Sequence, residues 1–263
     1  MLISVIVSTY NRPDALNLVL QSLNQQTDRD FEVIVADDGS KAETRQLVES
    51  FQANYSQPLK HVWHDDLGFR AAAIRNLAVK HSQASYLVFL DGDCIPQNDF
   101  VANHRFLKEV GHMVTGSRVL LSQSFTNLLI SKDAFDFDLF YKSLIYYRLN
   151  GSINKLLAFY FKNSKSYFRH QRGFNWRRIK GCNFACWRND FDSVKGFDES
   201  FEGWGHEDAD LVFRMHVAGI KRKSGSFSTE VLHLYHPENN RSNADLNKTK
   251  LLERIANHSS VQY

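Results

Sequence analysis

Short apolar runs alternate with helical patterns over the first 118 residues of the chain. Four runs rich in β-branched and large apolar residues predict strands, at Leu2–Val7, Phe31–Ala36, Leu59–His64 and Tyr86–Leu90. Helices are predicted between them: one opens at Asn11-Arg12-Pro13 and buries Leu16, Leu20 and Leu23, a second follows Ser40 through about Ala53, and a third runs from about Arg70 to His81. Strands that alternate with helices of this length are typical of a mainly parallel, doubly wound sheet, so we predict an α/β protein.

The pattern changes in the middle of the chain. Residues 119–180 contain aromatic and basic pieces without a clear period, and we expect a variable, mainly helical segment there. Regular elements resume with predicted strands at Gly181–Trp187 and Thr229–Tyr235, and helices at Glu207–Ala218 and from about Ala244. The simplest organisation is one domain over residues 1–263, with residues 119–180 inserted between the halves 1–118 and 181–263.

Polar residues follow three of the predicted strands. Ser8-Thr9-Tyr10, Asp37-Asp38 and Asp91-Gly92-Asp93 each stand where a strand ends. In a doubly wound sheet, ligands bind in the crevice beyond the carboxyl ends of the strands. Each motif alone is also typical of a turn, but three that converge on one edge favour a binding site.

Composition excludes several classes of protein. Hydrophobic residues make up 43% and charged residues 23% of the chain, as in ordinary soluble globular proteins. No apolar stretch has the length of a membrane-spanning helix, and no basic stretch precedes the first strand as in a signal peptide. Cys94, Cys182 and Cys186 lack zinc-ligand spacing and are interpreted as reduced, buried thiols. We therefore expect a cytoplasmic protein.

Charge is distributed unevenly along the chain. Residues 139–189 contain eleven Lys and Arg, thirteen aromatic residues and no Asp or Glu. The rest of the chain sets 21 Lys and Arg against 29 Asp and Glu, a net charge of about −8. Nucleic-acid binding is not expected, because no recognisable module accompanies the charge. A solvated basic face stays possible, but we favour peripheral contact with an anionic membrane.

Two acid pairs indicate the chemistry. Asp91 and Asp93, one residue apart after a buried strand, can hold a divalent cation against a diphosphate. Far downstream, Glu207 and Asp208 follow Trp204-Gly205-His206. A metal-binding acid pair with a second acid pair beside an aromatic residue is what transfer of a sugar from a nucleotide requires.

These motifs together resemble inverting family-2 glycosyltransferases of the GT-A fold. The similar stretches in the first half are Val5–Arg12, Val35–Ser40, Gly68-Phe69 with Ala73–Asn76, and Leu90–Asp93. In the second half, Gly181–Asn183, Lys195–Glu199 and Trp204–Asp208 resemble a module of β-1,4-galactosyltransferases and polypeptide N-acetylgalactosaminyltransferases. The resemblance covers residues 1–118 and 181–236, so 1–118 is the nucleotide-sugar-binding half and 181–263 the acceptor-binding and catalytic half.

The resemblance implies a Mn²⁺ or Mg²⁺ site that neutralises the leaving diphosphate. Asp93 is expected to be the direct ligand, with Asp91 contacting ribose or a metal-bound water. The family's imidazole ligand on a late strand would be His233, with His236 as the alternative. Strand alternation predicts that His236 lies on the other face.

Asp208 matches the family's catalytic base, and Glu207 is expected to hydrogen-bond acceptor or donor sugar. Trp204 offers a flat face for a sugar ring, and His206 is expected beside the acceptor. The alternative interpretation is that Glu207 and Asp208 only stabilise a helix dipole, a contribution of about 0.3–1 kcal/mol.

The expected nucleotide-sugar site draws on several motifs. Asp37 or Asp38 is expected to accept the uracil imide proton beside Thr9 and Tyr10. Arg12, Arg70 and Arg75 are candidates for the diphosphate, although Arg12 could be solvated and Arg75 a structural partner. The remaining expected donor contacts are Phe69, Asp91, Gly92, Asp93, Gly181, Asn183 and Trp204.

The predicted function is a metal-dependent inverting glycosyltransferase that moves a sugar from a UDP-sugar to a hydroxyl of a glycan acceptor. A lipid-linked bacterial surface polysaccharide, such as lipopolysaccharide or capsule, would place it on the inner face of the cytoplasmic membrane. A sugar-1-phosphate nucleotidyltransferase is one alternative, but residues 8–12 lack the glycine-rich, lysine-containing loop it would need. The other is a non-catalytic glycan- or lipid-binding protein on the same fold.

Overall fold

The computed structural model describes residues 1–160, 167–171, 173–237 and 241–261. The strands are β1 Ile3–Thr9, β2 Phe31–Asp37, β3 Leu59–Trp63, β4 Tyr86–Asp91, β5 Cys94–Pro96, β6 His112–Thr115, β7 Arg118–Leu120, β8 His170–Gln171, β9 Asn183–Trp187, β10 Lys221–Ser224 and β11 Val231–His233. The helices are α1 Pro13–Asn24, α2 Ala42–Gln52, α3 Ala71–His81, α4 Phe100–Leu107, α5 Gln123–Lys132, α6 Phe137–Lys142, α7 Leu144–Leu149, α8 Leu157–Tyr160, α9 Arg188–Ser193, α10 Glu207–Val217 and α11 Ala244–Val261. Two 3₁₀ turns span Tyr167–Arg169 and Trp176–Arg178.

An eight-stranded sheet in the order β3-β2-β1-β4-β9-β6-β10-β8 forms the centre of the fold. Strands β1 to β4 are parallel to one another, whereas β9 runs antiparallel to both β4 and β6. A second sheet has the order β5-β11-β7. The α/β class and the parallel strand–helix units predicted for the first half are confirmed.

Alternation along the central strands supplies a core on each face of the large sheet. In β1, Ile3, Val5 and Val7 join one cluster, whereas Ile6 joins the other. Helices cover both faces, so each strand can be apolar almost throughout. The pattern of β1 is therefore a continuous apolar run rather than a strict alternation of polar and apolar residues.

Several short elements carried too little pattern to be predicted. The strands β5, β6, β7 and β10 have three or four residues each, and helix α4 has eight. The strand expected over Thr229–Tyr235 forms only as Val231–His233. Residues 119–180 are helical in α5 to α8, as expected, and no helix in the described ranges is long and apolar enough to cross a bilayer.

The carboxyl ends of β1, β2 and β4 meet at one edge of the sheet. Thr9 pairs with Asp37 of β2, and Ser8 pairs with Asp91 of β4. The polar residues that follow these strands therefore surround one crevice, as predicted from the order of strands. The loop before α10 and the end of β11 contribute the residues from the second half.

Candidate functional site

Asp91 is held in place by hydrogen bonds at the end of β4. Its Oδ1 accepts from Nη2 of Arg75 at 2.9 Å and from Oγ of Ser8 at 3.2 Å. Arg75 Nε also donates to Ser8 Oγ, at 3.2 Å. Arg75 and Ser8 therefore hold the Asp91 carboxylate in one orientation.

Asp93 lies beside two histidines. Its Oδ1 is 3.6 Å from Nε2 of His233, and its Oδ2 is 3.4 Å from Nε2 of His236. The expectation that His236 faces away is wrong, because β11 ends at His233 and strand alternation stops there. The two rings lie with centroids 5.2 Å apart, so both imidazoles converge on the same carboxylate.

Pairing within the small sheet explains this convergence. His233 of β11 is the register partner of Cys94 in β5, the residue after Asp93. The next residue, Leu234, donates its backbone N–H to the Asp93 carbonyl at 2.9 Å. Strand β11 is thereby hydrogen-bonded to the segment that carries Asp91 and Asp93.

Asp93, Cys94 and His233 present ligand atoms within 4.8 Å of one another, as a shared divalent cation requires, and His236 lies beside the other carboxylate oxygen of Asp93. Two ligands each about 2.1 Å from a cation, at angles of roughly 90–110°, are separated by roughly 3.0–3.5 Å. The observed 3.4 and 3.6 Å are close to that range and too long for good hydrogen bonds. Burial lowers the pKa of His233 against the opposing effect of Asp93, which favours the neutral, metal-binding imidazole.

Cys94 places a sulfur beside this group. Its Sγ lies 3.5 Å from Oδ1 of Asp93. Without a cation, burial together with Cys182 raises the pKa of this completely buried thiol well above the usual value. Asp93 and His233 supply the oxygen and imidazole nitrogen donors that suit Mn²⁺.

Gly92 allows the acid pair to approach β1. Its N–H donates to the Ser8 carbonyl at 2.7 Å. A Cβ at this position would lie 2.9 Å from that carbonyl oxygen and 3.2 Å from Cβ of Thr9. Gly92 therefore acts through close packing of the turn, and a side chain here would displace Asp91 or Asp93.

The second acid pair begins helix α10. His206 precedes it with φ 74°, a left-handed conformation, and Glu207 and Asp208 open the first turn. Asp208 Oδ1 accepts from the N–H of Ala209 at 2.7 Å. A Cβ at Gly181 would lie 3.1 Å from Oδ2 of Asp208, so glycine is required for this close approach.

Arg75 connects the two acid pairs. Its Nη1 donates to Oε1 of Glu207 at 3.0 Å, while Nη2 donates to Asp91 at 2.9 Å. The guanidinium is buried and lies over the ring of Phe197 at 5.5 Å. Of the two roles considered for Arg75 from the sequence, diphosphate contact and structural partner, these contacts match the structural one.

Burial is the main cause that raises the pKa of Glu207 to about 6. Asp208 raises this pKa further, and Arg75 opposes both effects.

The predicted base-binding acids are both buried and paired with histidines. Asp37 Oδ2 lies 2.9 Å from Nε2 of His61, and Asp38 Oδ1 lies 2.6 Å from Nε2 of His64. Asp38 also accepts from the N–H of Arg70 at 2.8 Å, and burial raises its pKa. The sequence analysis did not predict that His61, in β3, and His64 would contact these two acids.

Thr9 and Tyr10 lie at the same end of the crevice. The Thr9 hydroxyl is buried and has no hydrogen-bond partner among the residues that the structure describes, so it can serve a ligand. Tyr10 is exposed and donates its hydroxyl to Oδ2 of Asp66 at 3.0 Å. This bond is the main cause that raises the Tyr10 pKa.

Two predicted donor contacts lie elsewhere. The guanidinium of Arg12 is paired with Asp14 at 2.9 Å, in the first turn of α1. Asn183 is 0% exposed, and its amide bonds Ser117, Thr229 and His104. Asn183 therefore joins buried segments of the fold rather than lining the crevice.

The loop that carries Trp204 is held from two sides. Gly203 donates its N–H to the Phe69 carbonyl at 2.9 Å, which connects the loop with the nucleotide half. The guanidinium of Arg241 stacks over the Trp204 ring at 4.6 Å. One indole face is therefore covered by a cation in this structure. His206 contacts Trp176 edge to face, with ring centroids 5.4 Å apart.

His61, His64 and the joint placement of both late histidines were missed by sequence reasoning. Ser8 was among the polar residues predicted at the strand ends, but its bond to Asp91 was not predicted, although a register that pairs the two follows from the parallel order. His61 lies in β3, where its neighbour in the register is Val35 of β2, two residues from Asp37. The His236 contact had no sequence signal, because it depends on the path of a turn.

Solved structures share this fold. TarS of S. aureus superposes with a TM-score of 0.64 over 97% of this chain and 39% of that chain, at 17% identity. The mannosyltransferase PcManGT from Pyrobaculum calidifontis, in complex with GDP-Man and Mn²⁺, gives 0.62 over 95% and 61%, at 18% identity. Such identities establish the fold alone, and the predicted GT-A class is confirmed.

The family follows from the sequence matches. Residues 4–170 match the model described as Glycosyl transferase family 2, and residues 164–237 match that described as N-terminal domain of galactosyltransferase. The first match covers more than half of the chain, which therefore belongs to glycosyltransferase family 2. The resemblance inferred from the motifs is thus confirmed.

Curated relatives are longer than this chain. Validoxylamine A glucosyltransferase of Streptomyces hygroscopicus subsp. jinggangensis is 29% identical over 252 residues, which cover 83% of this chain and 52% of that protein. Chondroitin synthase of Escherichia coli is 30% identical over 250 residues, which cover 90% of this chain and 34% of that protein. The chain thus spans about half of the first relative and about a third of the second.

Proposed function

We propose that the protein is a metal-dependent, inverting glycosyltransferase that uses a UDP-sugar and a glycan hydroxyl. The observation that carries this proposal is the convergence of Asp93, His233 and His236, with 3.4 and 3.6 Å between the carboxylate and the two imidazoles. Family membership supports the reaction type, and the second acid pair supports a single displacement. Asp93 and Asp208 are both present, which disfavours a purely binding role.

Departure of the nucleoside diphosphate is the first chemical requirement. A Mn²⁺ or Mg²⁺ ion held by Asp93, His233 and His236 would neutralise charge that develops on the β-phosphate. Asp91, oriented by Arg75 and Ser8, would contact ribose or a metal-bound water. The chain's own contribution is a carboxylate with one imidazole beside each of its two oxygens.

Removal of the acceptor proton is the second requirement. Asp208 is the proposed base, because its carboxylate stands against the Gly181 backbone and has no bonded cation among the described residues. Glu207 is bound to Arg75 and would instead position a sugar hydroxyl. A positioned carboxylate base contributes roughly 10²–10⁴-fold to such a reaction.

The nucleotide would lie between the ends of β1 and β2. Asp38 can accept from the uracil imide N–H at a lone pair left free by His64 and Arg70, with Tyr10 beside the ring. Asp37 is completely buried and is the weaker candidate. TarS has been solved with UDP and with UDP-GlcNAc, which supports uridine, whereas PcManGT was solved with GDP-Man.

The proposed acceptor is a glycan, bound near Trp204 and His206 before α10. Relatives named as chondroitin synthase and teichoic acid poly(glycerol phosphate) polymerase support a polymer of the cell surface. A lipid-linked acceptor would place the reaction at the inner face of the cytoplasmic membrane. Stacking of a sugar on Trp204 would use the indole face opposite Arg241 or displace that side chain.

Calorimetric titration of UDP tests the donor site. Binding is expected with Mn²⁺ and is expected to be lost in EDTA. Asp93→Ala should remove the Mn²⁺-dependent part of the affinity, because it removes the carboxylate between the two imidazoles. Asp192→Ala, at an exposed acid of α9, is the control and should bind as the parent does.

Three results would contradict parts of the proposal. UDP affinity that EDTA leaves unchanged would argue against a metal-dependent donor site. Unchanged Mn²⁺ dependence in Asp93→Ala would move the metal elsewhere. No UDP binding under either condition would exclude a UDP-sugar donor, and GDP would then be titrated in the same way.

A further inference from the structure

The three arginines considered from the sequence for the diphosphate are each engaged by other groups in the structure. Arg12 and Arg75 are paired with carboxylates, and Arg70 donates from Nη2 to the Asp65 carbonyl at 2.7 Å. Another arginine, Arg118, lies near both acid pairs and was not singled out by any motif. Its surroundings indicate what it binds.

Arg118 begins β7, in the small sheet that contains His233. Strand β7 pairs in parallel with β11, and Arg118 is the register partner of Val231, two residues before His233. Residues opposite each other in a sheet, and residues two apart in a strand, point to the same face. The Arg118 side chain therefore leaves the small sheet on the face that carries the His233 imidazole.

The Arg118 guanidinium reaches a residue that lies between the two acid pairs. Its Nη1 is 4.0 Å from Sγ of Cys182. The Cys182 carbonyl accepts the N–H of Asp91 at 3.3 Å, which connects it with the metal end of the crevice. The preceding residue, Gly181, is the one against which the Asp208 carboxylate stands. The cation thus lies between the metal end and the base end.

The backbone before Arg118 is held by a buried side chain. Nδ2 of Asn183 donates to the Ser117 carbonyl at 3.3 Å, and the Asn183 carbonyl accepts from the N–H of Gly116 at 2.8 Å. Asn183 was expected to contact the donor sugar and is instead 0% exposed. These bonds join the segment that leads to Arg118 to the start of β9.

Arg118 is half-buried without a carboxylate partner. Among the residues that the structure describes, no carboxylate oxygen lies within 4.0 Å of its guanidinium, and a thiol sulfur such as that of Cys182 is only a weak acceptor. Burial lowers the pKa of Arg118, but Cys182, Cys94 and Asp91 raise it and the net change is upward. A partly buried cation is normally paired, so this one indicates an anionic ligand.

The charges around the crevice explain why such a cation is needed. Four carboxylates lie there, those of Asp91, Asp93, Glu207 and Asp208. Arg75 is bound to two of these acids and offsets part of their charge. A diphosphate adds further negative charge, so its binding requires a fixed positive group as well as a divalent cation.

We propose that Arg118 binds the β-phosphate of the nucleotide sugar. This inference rests on the proposed function and deepens it, because it assigns a protein contact to the leaving group. The uridine would lie beside Asp38 and Tyr10, and the transferred sugar beside Asp208. Since Arg118 lies toward Asp208, next to Cys182, it meets the phosphate that is attached to the sugar.

The proposed contact acts on the charge that the reaction creates. The bond between the anomeric carbon and the β-phosphate oxygen breaks while the acceptor oxygen bonds that carbon, and the acceptor proton passes to Asp208. The electron pair of the broken bond stays on the β-phosphate oxygen. A guanidinium can donate two parallel N–H bonds to phosphate oxygens, and Arg118 would stabilise this charge together with the divalent cation.

Calorimetric titration of UDP and of UMP, each with Mn²⁺, tests the proposal because the two ligands differ by the β-phosphate. Arg118→Met should weaken UDP binding by roughly ten- to hundredfold, as expected for lost hydrogen bonds to a charged group. UMP should bind this variant as it binds the parent. Arg118→Lys keeps the charge but not the bidentate geometry, so its UDP affinity should lie between those of the parent and Arg118→Met.

Arg29→Met is the matched control, because it removes the same charge at the opposite edge of the sheet. Arg29 is exposed just before β2, and its Nη1 donates to the Asn24 carbonyl at 2.8 Å. Both UDP and UMP should bind this variant as they bind the parent. A general effect of net charge on nucleotide binding would instead weaken UDP binding to Arg29→Met and Arg118→Met alike.

Two results would overturn the assignment of Arg118. One is UDP affinity of Arg118→Met equal to that of Arg29→Met. The other is an equal loss of UDP and UMP affinity in Arg118→Lys, which would show a structural role even if Arg118→Met does not fold. A parent that binds neither ligand with Mn²⁺ would contradict the proposed function itself, whereas a parent that binds both would leave only the role of Arg118 to be decided by its variants.

Discussion

The two acid pairs, Asp91 with Asp93 and Glu207 with Asp208, are alike in that one acid of each pair is bound to Arg75. They differ in what surrounds the other acid. In the first pair Asp91 is bound to Arg75, and Asp93 faces the imidazoles of His233 and His236. In the second pair Glu207 is bound to Arg75, whereas the Asp208 carboxylate accepts a hydrogen bond from the backbone N–H of Ala209. Each pair thus contains one anchored acid and one acid available for chemistry.

The difference lies in what the available acid meets. Asp93 is surrounded by imidazoles, which suits a shared cation. Asp208 stands against the Gly181 backbone, where a carboxylate can accept a proton from an incoming hydroxyl. One buried guanidinium, that of Arg75, bonds both Asp91 and Glu207 and so connects the two acid pairs.

The largest expected effect comes from changing the available acid of the second pair. Asp208→Asn keeps the bond to the Ala209 N–H but cannot take a proton, so transfer should fall by roughly 10²–10⁴-fold. Mn²⁺-dependent UDP affinity should persist. Steady-state transfer assays and calorimetry on the same preparation provide the two readings.

Asp245→Asn is the matched control, because Asp245 is an exposed acid in the first turn of α11. If Asp208 acted only on the helix dipole, both variants would lose about 0.3–1 kcal/mol of stability and keep transfer. Near-normal transfer by Asp208→Asn would place the base elsewhere.

Removal of the shared anchor should weaken both pairs at once. Arg75→Met leaves the Asp91 and Glu207 carboxylates without their buried cation, and breaking a buried pair costs about 3–5 kcal/mol of unfolding free energy. Urea denaturation measures this loss. Adding Glu207→Gln should recover part of it, because one uncompensated charge is removed.

Arg12→Met is the control for an exposed pair, since Arg12 and Asp14 are 32% and 38% exposed. It should cost less than about 1 kcal/mol. An Arg75→Met loss as small as this would mean that the bridge between the pairs is not a structural requirement.

A smaller effect, on thermal stability, is expected from Glu207, the acid of the second pair that is bound to Arg75. Burial raises the pKa of Glu207 to about 6, so the ionised carboxylate destabilises the fold above that pH. The penalty is on the order of 2 kcal/mol at pH 8, and it fades as pH falls through 6 toward the unfolded pKa. The Tm of Glu207→Gln relative to the parent should therefore be higher at pH 8 than at pH 4.5.

Glu253→Gln, at an exposed position of α11, should alter Tm at neither pH. A Tm difference that moves in favour of the parent as the pH rises from 4.5 to 8 would contradict the burial penalty. It would show instead that the ionised pair with Arg75 is a net stabilising contact. Transfer assays on the same variant report whether Glu207 also positions a sugar.

Much of this arrangement could be predicted before the structure. The apolar runs of β1, β2 and β4 located the strand ends, and parallel order placed Asp37, Asp91 and Asp93 on one edge. The motif Trp204–Asp208 located the second pair at a helix start. These features are local, since strand and helix periods are read from neighbouring residues.

Other residues were misjudged because their roles depend on long-range packing. Asn183 lies two residues after the motif residue Gly181. Its side chain is nevertheless buried, and it hydrogen-bonds Thr229 and His104. His236 was assigned to the opposite face by strand alternation, which does not continue past the end of β11. A turn can reverse the direction of a side chain without any change in local composition.

The sequence by itself determined the α/β class, the family and the positions of both acid pairs along the chain. Only the tertiary structure decided which member of each pair is anchored, since Arg75 reaches Glu207 across 132 residues. It also decided that Arg118 lies beside Cys182, between the two pairs. The physical reason is that periodicity constrains the backbone of each element, whereas contacts between distant elements determine what each side chain meets.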